Sequence, residues 1–194
     1  MKKVYGITGG IGSGKSVVSS IIKGLGYTVF SADEVYTNLL KTGDFSKQIY
    51  TLLGLQFNSE KGFNRKEVAS VVFNDKNKLK VLNTFTHDKV MAELMRLNAN
   101  EKGVIFNEVP LLFEGGYQNM YDGVIVVYRN LEDRINAVVN RDNISQEEVL
   151  KRIKNQFNYE NNDISAHTII VNDGVYENLV DNVKAVISEI EKSN

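Results

Sequence analysis

Between Gly6 and Ser16 the chain reads GITGGIGSGKS, with five glycines in eleven residues and a lysine and serine at the end. Gly9, Gly14, Lys15 and Ser16 satisfy the spacing G-x-x-x-x-G-K-[ST]. Each residue type has a chemical reason. Glycine at 9, 12 and 14 admits backbone conformations closed to other residues, so successive N–H groups can turn inward around an anion. Lys15 sets a cation against the outer phosphates of a nucleotide, and the Ser16 hydroxyl is a ligand type for Mg²⁺. A helix beginning near residue 15 would add the partial positive charge of its N-terminus. The candidates for nucleotide contact are therefore Gly10, Ile11, Gly12, Ser13, Gly14, Lys15, Ser16 and Val17, with Ser16 as the metal ligand. This pattern establishes nucleotide binding and leaves the reaction open.

The elements around the glycines supply the required context. KKVYGIT, ahead of them, is a β-branched and aromatic run that reads as a strand. After them Val17, Val18, Ile21, Ile22 and Leu25 recur at helical spacing, with Gly24 and Gly26 as stop signals. YTVF then reads as a second strand ending at Ser31-Ala32-Asp33, completing a β-α-β unit whose handedness implies a parallel sheet. Residues 34–102 are mostly helical in character, interrupted at KTGD and NSEKG. Within them Val81, Leu82, Phe85, Val90, Leu94 and Leu97 supply an apolar face. GVIFNEVP (103–110), GVIVVYR (123–129) and HTIIVND (167–173) read as further strands, and 175–192 as a closing helix. Residues 131–157 read as two helices about a turn at RDNIS, the second opened by a capping box of Ser145 and Glu148. The alternation predicts an α/β, three-layer P-loop NTPase fold with a five-stranded parallel sheet.

Other nucleotide-binding classes lack their signatures. A regulatory GTPase needs a guanine-reading N-K-x-D, and NKLK at 77–80 lacks the aspartate. No segment marks a transport or motor ATPase. A small chain with helical insertions after the second strand and before the last fits a small-molecule kinase, where such segments cover the acceptor and close over ATP. Asp33 then stands beyond the carboxyl end of the second strand, where ligands of open parallel sheets bind. It reads equally as a functional carboxylate, a base toward an attacking hydroxyl or a holder of Mg²⁺ through water, or as the N-cap of the following helix. Glu108 reads as a metal-side carboxylate or a solvated strand end. Of the cations Arg129, Arg134, Arg141, Lys151, Arg152 and Lys154, Arg141 is the best placed to clamp phosphate, since RDNIS reads as a turn. His87, within an apolar helical region, reads by itself as structural or superficial.

Bulk properties narrow the partners. The 23 Lys and Arg balance 24 Asp and Glu, so there is no basic excess for nucleic acid. Cysteine is absent, which excludes disulfides and thiolate metal sites and is compatible with a reducing cytosol. The apolar run before the glycines is too short for a signal peptide, and nothing approaches the ~18 apolar residues of a membrane span. The expectation is a cytoplasmic protein without nucleic-acid or membrane partners, a monomer or weak homo-oligomer.

Taken together, these segments resemble dephospho-coenzyme A kinases, the ATP-dependent enzymes of the last step of coenzyme A synthesis. TGGIGSGKS (8–16) looks like that family's phosphate loop, and ADEV (32–35) resembles its DAD segment. FNRKEVASVVFND (63–75), LNTFTHDKV (82–90), VPLLFE (109–114), RDNISQEEVLKRIKNQ (141–156) and VNDG (171–174) resemble its later motifs in order. The resemblance implies that Asp33 is the base toward the 3′-hydroxyl of the acceptor ribose, and that Lys15 and Ser16 serve ATP and Mg²⁺. It implies a lid arginine in Arg141, acceptor-facing roles for Arg65 and His87, and positions near adenine for Asn172 and Gly174. The single domain 1–194 would comprise a core (about 1–33, 103–130 and 166–194), an acceptor-binding helical insertion (about 34–102) and a helical lid (about 131–165). Ser31, Asp88, Ala137 and His167 depart from the family pattern, standing where Asp, Pro, Arg and Asp are usual. The rival readings are a nucleoside monophosphate or sugar kinase and, from another class, a P-loop ATPase that regulates a partner.

Overall fold

A computed structural model describes residues 2–73 and 75–193; both ends of the 1–194 domain, and position 74 within the stretch 63–75, lie outside the described residues. The glycine loop runs from β1 (Lys3–Thr8) to α1 (Lys15–Gly24), and β2 (Thr28–Ser31) follows. Then, after a helical stretch, come β3 (Val104–Glu108), β4 (Gly123–Tyr128), β5 (Thr168–Val171) and the closing α8 (Tyr176–Lys192). The five strands form one sheet in the order β2-β3-β1-β4-β5. β1 is central and parallel to both neighbours, with Lys3 opposite Val104 and Tyr5 opposite Gly123. β4 in turn pairs parallel with β5 from Ile125 opposite Thr168. The expected α/β parallel architecture is the observed one.

This topology positions the loop. The chain leaves β1 toward one edge of the sheet and β4 toward the other, so the carboxyl ends of β1 and β4 flank a switch point. The loop after β1 starts there. Its anchorage is apolar: Tyr5 and Ile7 of β1 share a buried core with Val18, Ile21 and Ile22 of α1. On the same core α8 lays Leu179, Val183, Ile187 and Ile190, one stripe at helical spacing. Each such side chain contributes roughly 1.5–3 kcal/mol by leaving water. Both ends of the glycine loop are thereby rooted in the best-packed part of the sheet.

The chain divides into two compact units, Met1–Phe30 with Asn100–Asn194, and Ser31–Ala99. The second contains α2 (Ala32–Lys41), α3 (Gly43–Leu53), α4 (Arg65–Phe73) and α5 (Lys76–Ala99). Its core is Phe45, Ile49, Tyr50, Leu53, Val68 and Val72, with Phe45 stacked on Phe85 at 5.8 Å. The KTGD interruption shrinks to Thr42, whose extended backbone alone separates α2 from α3. The apolar face expected on α5 is the observed one except at its start, with Leu82 and Phe85 packed on this core and Leu97 half-buried. Val81 is exposed, while Thr86, Val90, Met91, Leu94 and Asn98 are buried. Thr86 tolerates burial because its hydroxyl donates to the carbonyls of Leu82 and Asn83, at 2.9 and 3.1 Å.

In the first unit, α6 (Leu131–Asp142) and α7 (Gln146–Lys154) pack through Ile135, Val138 and Val149. Asn130 caps α6 by accepting from the Asp133 N–H, and the Ser145–Glu148 capping box of α7 is complete in both directions.

Candidate active site

The phosphate loop is shaped by what crowds it. Gly14 has φ of +94°, and a Cβ there would overlap the side-chain amide of Asn172. That amide donates to the Ser13 carbonyl at 2.8 Å, while its oxygen accepts from the Gly174 N–H at 3.0 Å. The Asn172 backbone N–H donates to the Tyr128 carbonyl at 2.8 Å, so this buried residue ties the loop to the ends of β4 and β5. Gly14 gives α1 no side-chain cap, a vacancy in capping that suits an anion at the helix N-terminus. The Lys15 ammonium donates to the carbonyls of Gly9 and Gly10, at 2.6 and 3.0 Å. Ser16 Oγ donates to Glu108 Oε1 at 2.8 Å. Glu108 is only 8% exposed, which overturns its reading as a solvated strand end.

Further contacts around the loop involve residues that sequence reasoning did not single out for this purpose. The Ile11 N–H donates to Gln156 Oε1 at 2.8 Å, and its side chain packs on the α6–α7 cluster. The hydroxyls of Thr8 and Tyr159 lie 3.3 Å apart in the interior. Burial pushes the Tyr159 phenol up to about 12, with Glu114 adding to the rise and hydrogen bonds from Thr8 and the Gly9 backbone opposing it. Arg134, with its side chain 3% exposed, pairs with Glu160 at 2.5 Å and lies against Gly10 so closely that no Cβ would fit there. VPLLFE joins this assembly: Phe113 packs at a tilt against the rings of Phe157 and His167, with centroids 4.6 and 5.1 Å away, and Glu114 accepts from the Phe157 N–H at 2.7 Å. The departure at His167 thus places a ring against Phe113. Gln156 stood within the family-like run 141–156, but no local pattern shows which atom it reaches.

Arg141 lies in the last turn of α6, not in a turn between helices as its sequence suggested. Asn143, with φ of +52°, ends the helix two residues later than the RDNIS reading places it. The Arg141 side chain is 63% exposed and pairs with Asp142 at 2.7 Å, which also pairs with Arg152 at 2.8 Å. The Arg141 hydrogen bond is the main cause holding the Asp142 carboxyl below its ordinary range, with Arg152 assisting. Of the candidate clamping arginines, Arg134 is buried, whereas Arg141 and Arg152 are exposed. Ala137, between Arg134 and Arg141 on α6, is half-buried.

The remaining candidates belong to the other unit. Asp33 is exposed in the first turn of α2, where it lines an open hollow of about 370 Å³ with Glu34, Thr37, Asn38 and Lys41. It is not the N-cap: Ser31 fills that role by accepting from the Glu34 N–H at 3.5 Å, as the usual Asp could also do. Arg65 is the exposed first residue of α4, and its charge partly offsets the burial that raises the Tyr36 phenol. His87 is half-buried inside α5, which runs without interruption past Asp88.

Among the described residues no group of three or more His, Cys, Asp or Glu side chains is arranged to hold a metal ion. The Ser16–Glu108 pair is nevertheless a fitting donor set for Mg²⁺, which takes one or two protein oxygens and completes its shell from phosphates and water. No helix of the described residues is long and apolar enough to cross a membrane.

Comparison with known proteins places this geometry among relatives. Residues 3–178 match the family model described as dephospho-CoA kinase. The chain is 33% identical over 184 residues to the dephospho-CoA kinase of Fusobacterium nucleatum, covering 93% of this chain and 95% of that one. A crystal structure from Thermus thermophilus superposes with a TM-score of 0.81 at 33% identity, over 97% of each chain. The solved dephospho-CoA kinase from Campylobacter jejuni gives a TM-score of 0.74 at 32% identity over the full length of both chains.

Proposed function

Because this chain belongs to the dephospho-CoA kinase family, we propose that it transfers the γ-phosphoryl group of ATP to the ribose 3′-hydroxyl of dephospho-coenzyme A, giving coenzyme A. The observation that carries this reading is the intact phosphate loop, with Lys15 and the Ser16–Glu108 pair in place, on a chain matched by the family over residues 3–178.

Phosphoryl transfer asks little covalent chemistry of a protein, so positioning and charge stabilisation dominate. The loop amides around Gly12–Val17 cradle the phosphates, and Lys15 offsets charge on the transferring group. Asp33 orients the acceptor hydroxyl and takes its proton; its place just beyond the carboxyl end of β2 supports this assignment. Arg141 serves as the mobile clamp, supported by its exposure, and must give up Asp142 to reach a phosphate. Ser16 and Glu108 are the residues that would hold Mg²⁺, directly or through its waters. When bound, that ion neutralises phosphate charge and helps fix the triphosphate in line. Asn172 and Gly174 shape the adenine end, while Arg65 and His87 face the acceptor within the helical insertion (34–102). Residues 131–165 act as the lid, and the surrounding segments as the core. We place the enzyme in the cytoplasm as a monomer or weak homo-oligomer.

The test is ATP consumption with and without dephospho-coenzyme A, with the new phosphate located by phosphorus NMR. Acceptor-dependent ADP release and a 3′-phosphate are expected. Turnover with a nucleoside monophosphate or sugar but none with dephospho-coenzyme A would overturn the reading, as would protein-stimulated ATP hydrolysis without any acceptor.

A further inference from the structure

The loop that holds phosphate is itself held, and much of the holding comes from the segment just after α7. Across five residues this segment makes four attachments. Gln156 Oε1 accepts from the Ile11 N–H at 2.8 Å, and the Phe157 N–H donates to Glu114 at 2.7 Å. The Tyr159 hydroxyl meets Thr8, and Glu160 pairs with Arg134 at 2.5 Å. Arg134 passes the constraint on, because its guanidinium fills the space beside Gly10 where any side chain would stand. The Ile11 side chain, meanwhile, is a knob in the α6–α7 cluster. Two consecutive loop residues, Gly10 and Ile11, are thus gripped from outside the loop by three groups that belong to α6, α7 and the segment after them.

Simple structural stapling does not account for the choice of atoms. Gln156 spends its carbonyl on one backbone N–H of the phosphate loop, which orients the peptide between Gly10 and Ile11 and removes that N–H from the set open to phosphate. Arg134 is a charge with almost no solvent, while its partner Glu160 keeps 28% of its side chain exposed; a cation buried this far is strict about the placement of its counter-ion. We propose that Gln156 and the Arg134–Glu160 pair are positioning residues that set the conformation of the phosphate loop, so that ATP affinity depends on the segment 156–160 while acceptor affinity does not. Ile11 accordingly acts as an anchor of the loop, not as a phosphate contact. This rests on the loop being the ATP site.

The test compares Gln156→Met, Gln156→Glu and Glu160→Gln in the full chain. Binding of a non-hydrolysable ATP analogue is measured by calorimetry without acceptor, alongside KM for both substrates and the thermal midpoint without nucleotide. Loss of one well-placed hydrogen bond to the loop predicts about ten-fold weaker analogue binding by Gln156→Met, with a matching rise in ATP KM. Acceptor KM should stay within about two-fold, consistent with scatter far smaller than a tenfold change. Gln156→Glu keeps an acceptor oxygen and should recover the thermal midpoint, though not the analogue affinity, because its negative charge faces the phosphates. Glu160→Gln should weaken the analogue while sparing the acceptor. Unchanged analogue affinity overturns the proposal. So do equal rises in both KM values, or a lowered midpoint in which Gln156→Glu is no better than Gln156→Met. If Gln156→Met does not fold, the other two variants decide by the same criteria. The binding arm needs no acceptor, so it gives its answer even if dephospho-coenzyme A proves not to be phosphorylated.

Discussion

The Lys15 ammonium is held against the loop by the Gly9 and Gly10 carbonyls, which concentrates one positive charge where the phosphates of ATP bind. Lys15→Ala should therefore raise ATP KM and lower kcat by at least ~100-fold, and Lys15→Arg should not restore it, since a planar fork cannot replace a point charge there. Asp33 is asked for something different. As base it acts on the acceptor proton only, so Asp33→Asn should lower kcat by at least ~100-fold and leave ATP KM near the parent value. Steady-state kinetics on both variants separates these patterns, and near-parental turnover by Asp33→Asn removes the base assignment. Spacing alone was enough to read the glycines, Lys15 and Ser16, because their chemistry is local to eleven residues. Asn172 reaching Ser13 spans 159 positions and Gln156 reaching Ile11 spans 145, and contacts so distant leave no local signature. Arg134 shows a related limit: six cations look alike along residues 129–154, and only packing distinguishes the buried one.

At the level of elements, strands and caps were legible because their causes sit in neighbouring residues. The near-continuous apolar run of β4 marks a strand covered on both faces, and Ser145 with Glu148 marks the start of α7. α5 was legible as a helix and, beyond Val81, in its inner face, though a count of apolar residues passes over Thr86 and Asn98, whose polar groups are buried on the same stripe. α6 ran past its expected end because Asn143 supplies the left-handed residue that closes it. The capping box yields a prediction of its own kind. Ser145→Ala leaves the first-turn N–H of Glu148 without its acceptor, at a cost of about 1 kcal/mol. For a chain of this size that lowers Tm by about 2–4 °C, measurable by scanning calorimetry. The reciprocal bond from the Ser145 N–H to the Glu148 carboxylate has the same length, 3.3 Å, so Glu148→Ala should cost a similar amount.

Over the whole molecule, the phenols form a set whose titration links both compact units to pH. Tyr5, Tyr27, Tyr121 and Tyr159 in one unit, and Tyr36 and Tyr50 in the other, all hold their protons above the ordinary value of 10.0. Burial is the leading cause for five of them, whereas Tyr27 reaches about 12 chiefly through its hydrogen bond to Glu191. The sign follows from proton counting. Between pH 10 and about 12 the unfolded chain has released these protons while folded Tyr27 and Tyr159 still hold theirs, so the unfolded state binds fewer and stability falls as pH rises. Below pH 10 both states are protonated and the contribution is fully present. Urea unfolding followed from pH 8 upward should therefore show a flat region giving way to a steep loss above pH 10. Tyr159→Phe removes one of the most displaced phenols together with its contact to Thr8, so the variant should start lower at pH 8 and lose stability less steeply beyond pH 10. Parallel curves for parent and variant across that window would show that the Tyr159 proton is not coupled to folding. A shallower curve ties alkaline stability to the same phenol that braces Thr8 at the root of the phosphate loop.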